Sequence, residues 1–249
     1  KLKGYNTIVT GADSGIGRAV AIAFAKEGAN VALVDLEENE DLKSLRTRLN
    51  ELGVKSLSLP GDVGIEKNVQ EIVQAVVNEW GEIHTIVNNA AEQHPKETIG
   101  EISADQLLRT FQTNIFSQFY FVKAALPHLA TGATIINTTS VNAYEGHGEL
   151  LDYSSTKGAI VSFTRSLSQN AEILDKKIRV NAVAPGPIWT PIIPTTTGTS
   201  YEEHGQNVPM HRPGEAYELA PAYVYLASLD SSYVTGQTIH VNGGTVING

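Results

Sequence analysis

Thr10-Gly-Ala-Asp-Ser-Gly-Ile-Gly17 follows a short β-branched run, Thr7–Thr10, and opens a helical pattern from Ile16 to Glu27. Its location decides how it is read. Three glycines between a strand and a helix let backbone N–H groups come close to a ligand, and the helix N-terminus adds partial positive charge. That combination suits a pyrophosphate. Gly11, Asp13, Ser14, Gly15, Ile16 and Gly17 are therefore candidate ligand-binding positions.

Outward from this turn, strand-like and helix-like runs alternate almost from end to end. Val31–Asp35, Ser56–Leu59, Thr85–Val87, Thr134–Thr138, Arg179–Val183 and Thr238–Val241 read as further strands. The segments between them carry apolar residues at helical spacing. Val69, Ile72, Val73, Val76 and Val77 form one stripe of a helix over Ile65–Trp80. Ser103-Ala-Asp-Gln106 has the form of a capping box, opening a helix that runs towards Leu129. Strands joined through helices must run parallel and be covered on both faces. The expected fold is α/β: one domain spanning 1–249, a doubly wound seven-stranded parallel sheet of the Rossmann kind. The long irregular stretch Pro185–Pro213 is read as a functional loop, with a lid at about 187–211, or else as a surface excursion.

In such a fold ligands gather at the carboxyl ends of the strands. Asp35 ends the second strand and can accept hydrogen bonds from adenosine ribose hydroxyls. It would repel a 2′-phosphate, and Glu37 and Glu38 add to that repulsion. NAD is expected over NADP; NADP stays as the alternative because Arg18 is placed to weaken the preference. Asp62-Val63 follows the third strand, and Asp62 either bonds an adenine amino group or caps the next helix. Asn88-Asn-Ala-Ala91 follows the fourth strand, where the small residues Ala90 and Ala91 beside Asn89 let the backbone approach a cofactor.

Tyr153 and Lys157 lie four residues apart in a run read as one helix from Leu151 to Ile173, so they share a face. A phenol titrates near ~10, and a neighbouring ammonium favours its ionised form, which is the tuning that proton transfer requires. Ser140 lies just past the fifth strand at the same sheet edge, where its hydroxyl can hold a carbonyl or alkoxide oxygen. Asn114, among apolar neighbours in Phe111–Phe121, is either a satisfied core amide or part of a proton relay.

With these residues in place, the chain resembles the short-chain dehydrogenase/reductase family, in the branch with the Thr-Gly-x-x-x-Gly-x-Gly turn. It is most similar to stress-associated, glucose-dehydrogenase-like bacterial members. The resemblance covers essentially the whole chain. It implies Tyr153 as proton donor/acceptor, Lys157 on the nicotinamide ribose, Ser140 on the substrate oxygen, and Asn114 at a helix kink holding a water. It also implies Gly11, Ser14, Ile16, Asp35, Asp62, Val63 and Asn89 as cofactor contacts, with Pro185, Gly186, Ile188 and Thr190 around the nicotinamide amide. Ala91 departs from the glycine that many members carry. A homotetramer is the usual assembly, with Thr238–Gly249 completing one interface.

The implied activity is oxidoreduction of a small alcohol, sugar or ketone with NAD(H). The alternative is a dinucleotide-binding redox sensor without chemistry, which leaves Ser140, Tyr153 and Lys157 unexplained. Enoyl reductases of similar fold use a wider Tyr–Lys interval. Glu145, His147, Trp189 and the loop Pro191–Pro209 are expected to shape the substrate pocket; His94 and His147 are read as surface residues first, pocket residues second.

Composition narrows the partners. Net charge is −9 without a basic cluster, so no nucleic-acid partner is expected. Apolar runs such as Ala19–Ala25 are too short for a bilayer, which needs ~20 residues. There are no cysteines, which excludes disulfides and thiol catalysis and fits a cytoplasmic protein. The scattered histidines offer no metal site.

Overall fold

A computed structural model of the chain describes residues 1–247; Asn248 and Gly249, the end of the expected domain and interface segment, lie outside the described residues. Strands β1 (Asn6–Thr10), β2 (Asn30–Asp35), β3 (Ser56–Pro60), β4 (Ile83–Asn88), β5 (Leu129–Thr138) and β6 (Arg179–Pro185) build the main sheet. A short pair follows, β7 (Ile188–Trp189) with β8 (Gly214–Glu215), and then the edge strand β9 (Thr238–Val241). The main sheet has seven strands in the order β3-β2-β1-β4-β5-β6-β9, and every pairing is parallel. The expected single-domain, doubly wound α/β fold is the one observed.

Side chains alternate across the sheet and sort into two cores. Val9, Leu33, Ile136 and Val183 face a layer made by α1 (Gly15–Lys26), α2 (Glu40–Glu51) and α10 (Ala216–Ala227), where Phe24, Leu45 and Tyr223 are fully buried. Ile8, Val34, Ile135 and Val180 face the opposite layer, where α3 (Glu66–Trp80) and α5 (Ser117–Ala125) insert Val69, Val76 and Phe121. Each such fully buried aliphatic or aromatic side chain contributes roughly 1.5–3 kcal/mol. The stripe read on α3 is buried as expected, with Val77 at its margin.

The helix expected after Ser103 runs without a break to Ala125, with a π-helical turn in its middle. Ser103 caps α4 (Ala104–Phe111), accepting from Gln106 N–H at 3.1 Å. The Gln106 side chain does not complete a capping box; its amide donates to His94 O and to Asp152 Oδ2 instead. A π-helical turn, Gln112–Phe116, then joins α4 to α5, and a 3₁₀ turn, Leu126–His128, ends the segment. The helix expected over Leu151–Ile173 is instead two helices, α7 (Leu151–Leu167) and α8 (Ala171–Asp175). Asn170 accepts from Glu172 N–H and caps the second, so its side chain competes with continuation of the first. The stretch Pro185–Pro213 is more ordered than its composition suggests, because it contains β7 and α9 (Ile192–Thr197).

Strand order reverses between β1 and β4. The crevice outside their carboxyl ends is where a doubly wound sheet leaves room for a ligand.

Candidate active site

A cleft of ≈ 1030 Å³ opens at that edge. Of the catalytic and cofactor-binding candidates singled out in the sequence, all but Gly17 and Asn114 line it. Gly17 packs behind the turn: a Cβ there would fall 1.9 Å from Gly11 O, so only glycine lets α1 seat against the turn. Gly11 holds φ +63°, a left-handed conformation suited to glycine. Asn89 locks the same corner, donating to Thr10 O (3.0 Å) and Gly11 O (3.2 Å).

Ser14 is the N-cap of α1, yet its side chain accepts no bond from the first turn. The N–H groups that begin α1 therefore face the cleft without a capping side chain, as an anion site requires. The donor set fits the pyrophosphate of a dinucleotide. At the end of β2, Asp35 accepts from Asp13 N–H (3.1 Å) and Leu36 N–H (2.8 Å). Burial raises its pKa above the ordinary carboxylate value, against the lowering effect of those two N–H groups. Arg18 does not line the cleft. Its guanidinium donates to Asp13 O, Asp41 O and Ser44 Oγ, which ties it along α2.

Asp62 does not cap α3, whose N-cap is Ile65; its carboxylate accepts from Gly64 N–H and forms a 2.6 Å ion pair with Arg109. Arg109, on α4, reaches Glu92 as well (3.3 Å) and lines the cleft. Sequence reasoning missed it, since nothing local distinguishes it from a surface arginine on an amphipathic helix.

At the other end of the cleft, Tyr153 and Lys157 share a face of α7, with Nζ 5.3 Å from the phenol ring centroid. Lys157 is only 2 % exposed and donates to Thr138 O at 2.9 Å. Ser140 is 8 % exposed, and its Oγ accepts from Asn142 N–H (3.1 Å). Burial pushes the Tyr153 phenol up to about 12, with the Ser140 hydroxyl pulling the other way. The same burial drops Lys157 to about 7. The sequence expectation that Lys157 lowers the phenol pKa is therefore not met in the chain alone. Desolvation disfavours the charged form of both groups, and Lys157 is a cation only part of the time at neutral pH.

Asn114 sits in the π-helical turn, fully buried. Its amide donates to Glu92 O (2.9 Å) and Thr156 Oγ1 (3.1 Å), and its Oδ1 accepts from Glu92 N–H (2.9 Å). The side chain is thus a satisfied core amide that clamps the loop after β4 to α7. Two further residues escaped the sequence reading. Asp152, 3 % exposed, accepts from Tyr153 N–H, Gln106 and Thr110, and so anchors the first turn of α7. Gln93 reaches across the cleft to Thr196 on α9 at 2.7 Å. His147 and Glu145 line the cleft; His94 pairs with Glu92 outside it, and Trp189 packs on Tyr201 and His204 behind the wall. Among the described residues no group of three or more His, Cys, Asp or Glu is arranged to hold a metal, and no helix is long and apolar enough to cross a membrane.

A family model described as enoyl-(acyl carrier protein) reductase matches residues 11–246. A solved structure from Brucella melitensis, described as a short-chain dehydrogenase/reductase, glucose/ribitol dehydrogenase, superposes with a TM-score of 0.90 at 34% identity. The match covers 99% of this chain and 98% of that one. The chain belongs to the short-chain dehydrogenase/reductase family. Two Bacillus subtilis relatives are closer in sequence. The uncharacterized oxidoreductase YhdF is 57% identical over 249 residues, covering 100% of this chain and 86% of the relative. General stress protein 39 is 52% identical over 248 residues, covering 99% and 86%. As a short-chain dehydrogenase/reductase, the protein is an oxidoreductase.

Proposed function

We propose that this short-chain dehydrogenase/reductase interconverts an alcohol and a carbonyl on a small substrate, a sugar, polyol or ketone, with NAD(H). The observation that carries the reading is the convergence of Ser140, Tyr153 and Lys157 on one wall of the cleft that the glycine turn opens. Gly11 through Ile16 would hold the pyrophosphate, Asp35 the adenosine ribose, Asp62 and Val63 the adenine end, and Asn89 to Ala91 with Pro185, Gly186, Ile188 and Thr190 the nicotinamide end. Held there, a nicotinamide dinucleotide would supply hydride chemistry, two electrons and one hydrogen exchanged with the carbinol carbon.

The chain's own part is proton and oxygen handling. Ser140 and Tyr153 grip the substrate oxygen, and Tyr153 accepts the hydroxyl proton in oxidation or donates it in reduction. With the phenol at about 12 and Lys157 at about 7 in the chain alone, neither group is yet tuned. A substrate oxygen and a ribose hydroxyl would supply the hydrogen-bond partners that burial denies them. Asn114 and Asp152 act by positioning, fixing α7 from behind.

NAD is favoured over NADP because the Asp35 carboxylate, held by Asp13 N–H and Leu36 N–H, would meet a 2′-phosphate with like charge, and Arg18 is held away along α2. NADP remains the alternative. A homotetramer is proposed from the exposed Leu108, Phe116 and Phe119 around α4 and α5, the last packed on Phe163 of α7. A cytoplasmic site, without membrane or nucleic-acid partners, is the proposed setting, and the segment around α9 the proposed lid.

Tyr153→Phe tests the core of the reading. Turnover should fall by about 10²–10⁴-fold, while the affinity for NADH, followed by its fluorescence, stays within about threefold. Full activity in the variant refutes the assignment; absence of turnover in the parent enzyme across an alcohol and sugar panel favours a redox sensor.

A further inference from the structure

One cation ties two walls of the cleft together. Among the described residues that line the cleft, Arg109 and Lys157 are the only lysines or arginines, and Lys157 is buried beside the phenol. Arg109 serves two carboxylates at once. Its Nη1 donates to Asp62 Oδ2 at 2.6 Å and its Nε to Glu92 Oε2 at 3.3 Å. Separate N–H groups on one planar fork can do this, where the compact point charge of a lysine cannot. Gly64 leaves room for it: a Cβ there would lie 3.1 Å from Asp62 Oδ1 and 3.3 Å from Arg109 Nη1. Glu92 depends on the pair, because its Oε1 is buried and has no hydrogen-bond partner. Without Arg109 both carboxylates would stand in the cleft with His94, 3.6 Å from Glu92, as the one basic group left beside them among the described residues.

Glu92 passes that grip on. Asn114 takes both of its backbone groups, donating to Glu92 O and accepting from Glu92 N–H, each at 2.9 Å. The same amide donates to Thr156 Oγ1 at 3.1 Å, and Thr156 Oγ1 donates to Tyr153 O at 2.6 Å. Thr156 is fully buried and stands next to Lys157 on α7, which Ser140 reaches through the short helix α6 (Asn142–Glu145). Arg109 and Asn114 are five residues apart, a spacing that a regular α-helix would turn to different sides. The π-helical turn at Gln112–Phe116 adds a residue to the turn and brings both to Glu92, as residues four apart would be. The end of β3 is thereby joined to the helix of the phenol and the ammonium through Asp62, Arg109, Glu92, Asn114 and Thr156, with no gap between them.

We infer that Arg109 is a positioning residue for hydride transfer: acting through Glu92 and Asn114, it holds the adenine end of the cleft and the helix of Tyr153 and Lys157 in one fixed relation. This rests on the oxidoreductase reading above and goes beyond it. The adenosine half of the dinucleotide, which takes no part in the chemistry, gains a hold on the rate as well as on affinity. Binding energy from a remote part of a substrate can serve to place the reacting part. A misplacement of about 1 Å at the reacting atoms costs on the order of 10²-fold in rate, so slack at Arg109 reads out in the transfer step. Two simpler roles make different predictions. A contact to the adenine alone would alter affinity and leave the rate; an ion pair that only fastens the fold would alter Tm and leave both.

The experiment measures hydride transfer in a single turnover at saturating NAD with the best alcohol of a panel, and NADH affinity from its fluorescence. Arg109→Met should slow transfer at least fivefold and weaken NADH binding at least threefold. Thr156→Val, which removes the hydroxyl that Asn114 holds on α7, should also slow transfer at least fivefold. Independent effects of the two changes would multiply to about 25-fold or more; on one shared path the double variant should be no more than about twofold slower than the slower single one. Arg109→Lys, which keeps the charge without the fork, should stay at least threefold slow. Arg109→Met with either transfer or affinity at the parent value overturns the proposal and leaves the oxidoreductase reading standing. So does parental transfer in Arg109→Lys, or a double variant in which the single effects multiply. Absence of turnover in the parent for every alcohol overturns both.

Discussion

Lys157 is held where an ammonium is least stable, and replacing it should strengthen the fold. Its pKa falls from 10.5 to about 7 because it is buried. The folded chain therefore binds fewer protons at this site than the unfolded chain between those values. Stability gains as pH rises through that window and is lost as pH falls through it. At about 1.4 kcal/mol per tenfold, the site costs on the order of 4 kcal/mol at pH 7. At about pH 9.5 the cost shrinks to roughly 1.5 kcal/mol. Lys157→Met keeps an unbranched side chain, one atom shorter, and removes the charge. It also strips Thr138 O of its 2.9 Å partner, a loss of about 1–3 kcal/mol. The variant should come out ahead at pH 7 by roughly 1–3 kcal/mol, a Tm gain of about 2–4 °C per kcal/mol. By pH 9.5 that advantage should vanish or reverse. Urea unfolding followed by tryptophan fluorescence, without dinucleotide and at fixed protein concentration, measures both. A variant less stable than the parent at pH 7, or a difference that ignores pH, refutes the reasoning. Activity should be lost at either pH, as expected where a catalytic arrangement is bought with stability.

Two shorter tests address the two ends of the cleft. Asp35→Ser removes the carboxylate that accepts from Asp13 N–H; the NAD-over-NADP ratio of kcat/KM should drop at least tenfold, and an unchanged ratio would place cofactor choice elsewhere. Gln93→Ala breaks the 2.7 Å bond to Thr196 that ties α9 to the loop after β4. KM for the substrate should rise severalfold with kcat within about threefold, and a change in kcat alone would mean that Gln93 serves the chemistry rather than the lid.

The glycine turn, the strand ends and the Tyr153–Lys157 interval were legible because each is local. A turn that needs left-handed backbone must show glycine, a buried parallel strand must show a β-branched run, and two residues four apart on a helix must share a face. Helix ends were less legible: α7 stops at Leu167 and Asn170 caps α8, although the apolar spacing runs on past both. The stretch from Pro185 reads as loop by composition, yet Ile188 and Trp189 pair with Gly214 and Glu215, partners that lie too far along the chain for any local pattern to reveal.

The sequence by itself determined the layered sheet, through periodicity and backbone conformation within a few positions, and the family, through its motifs; of the eighteen expected residues that line the cleft, Pro185, Gly186, Ile188 and Thr190 came only from the family resemblance. Tertiary structure alone decided which polar groups meet: Arg109 with Asp62 across 47 residues, Gln93 with Thr196 across 103. It also decided that Tyr153 and Lys157 are both buried, and burial pushes each towards its neutral form. Desolvation and long-range pairing depend on what surrounds a side chain in space, and that environment exists only once the sheet is closed over by its helices.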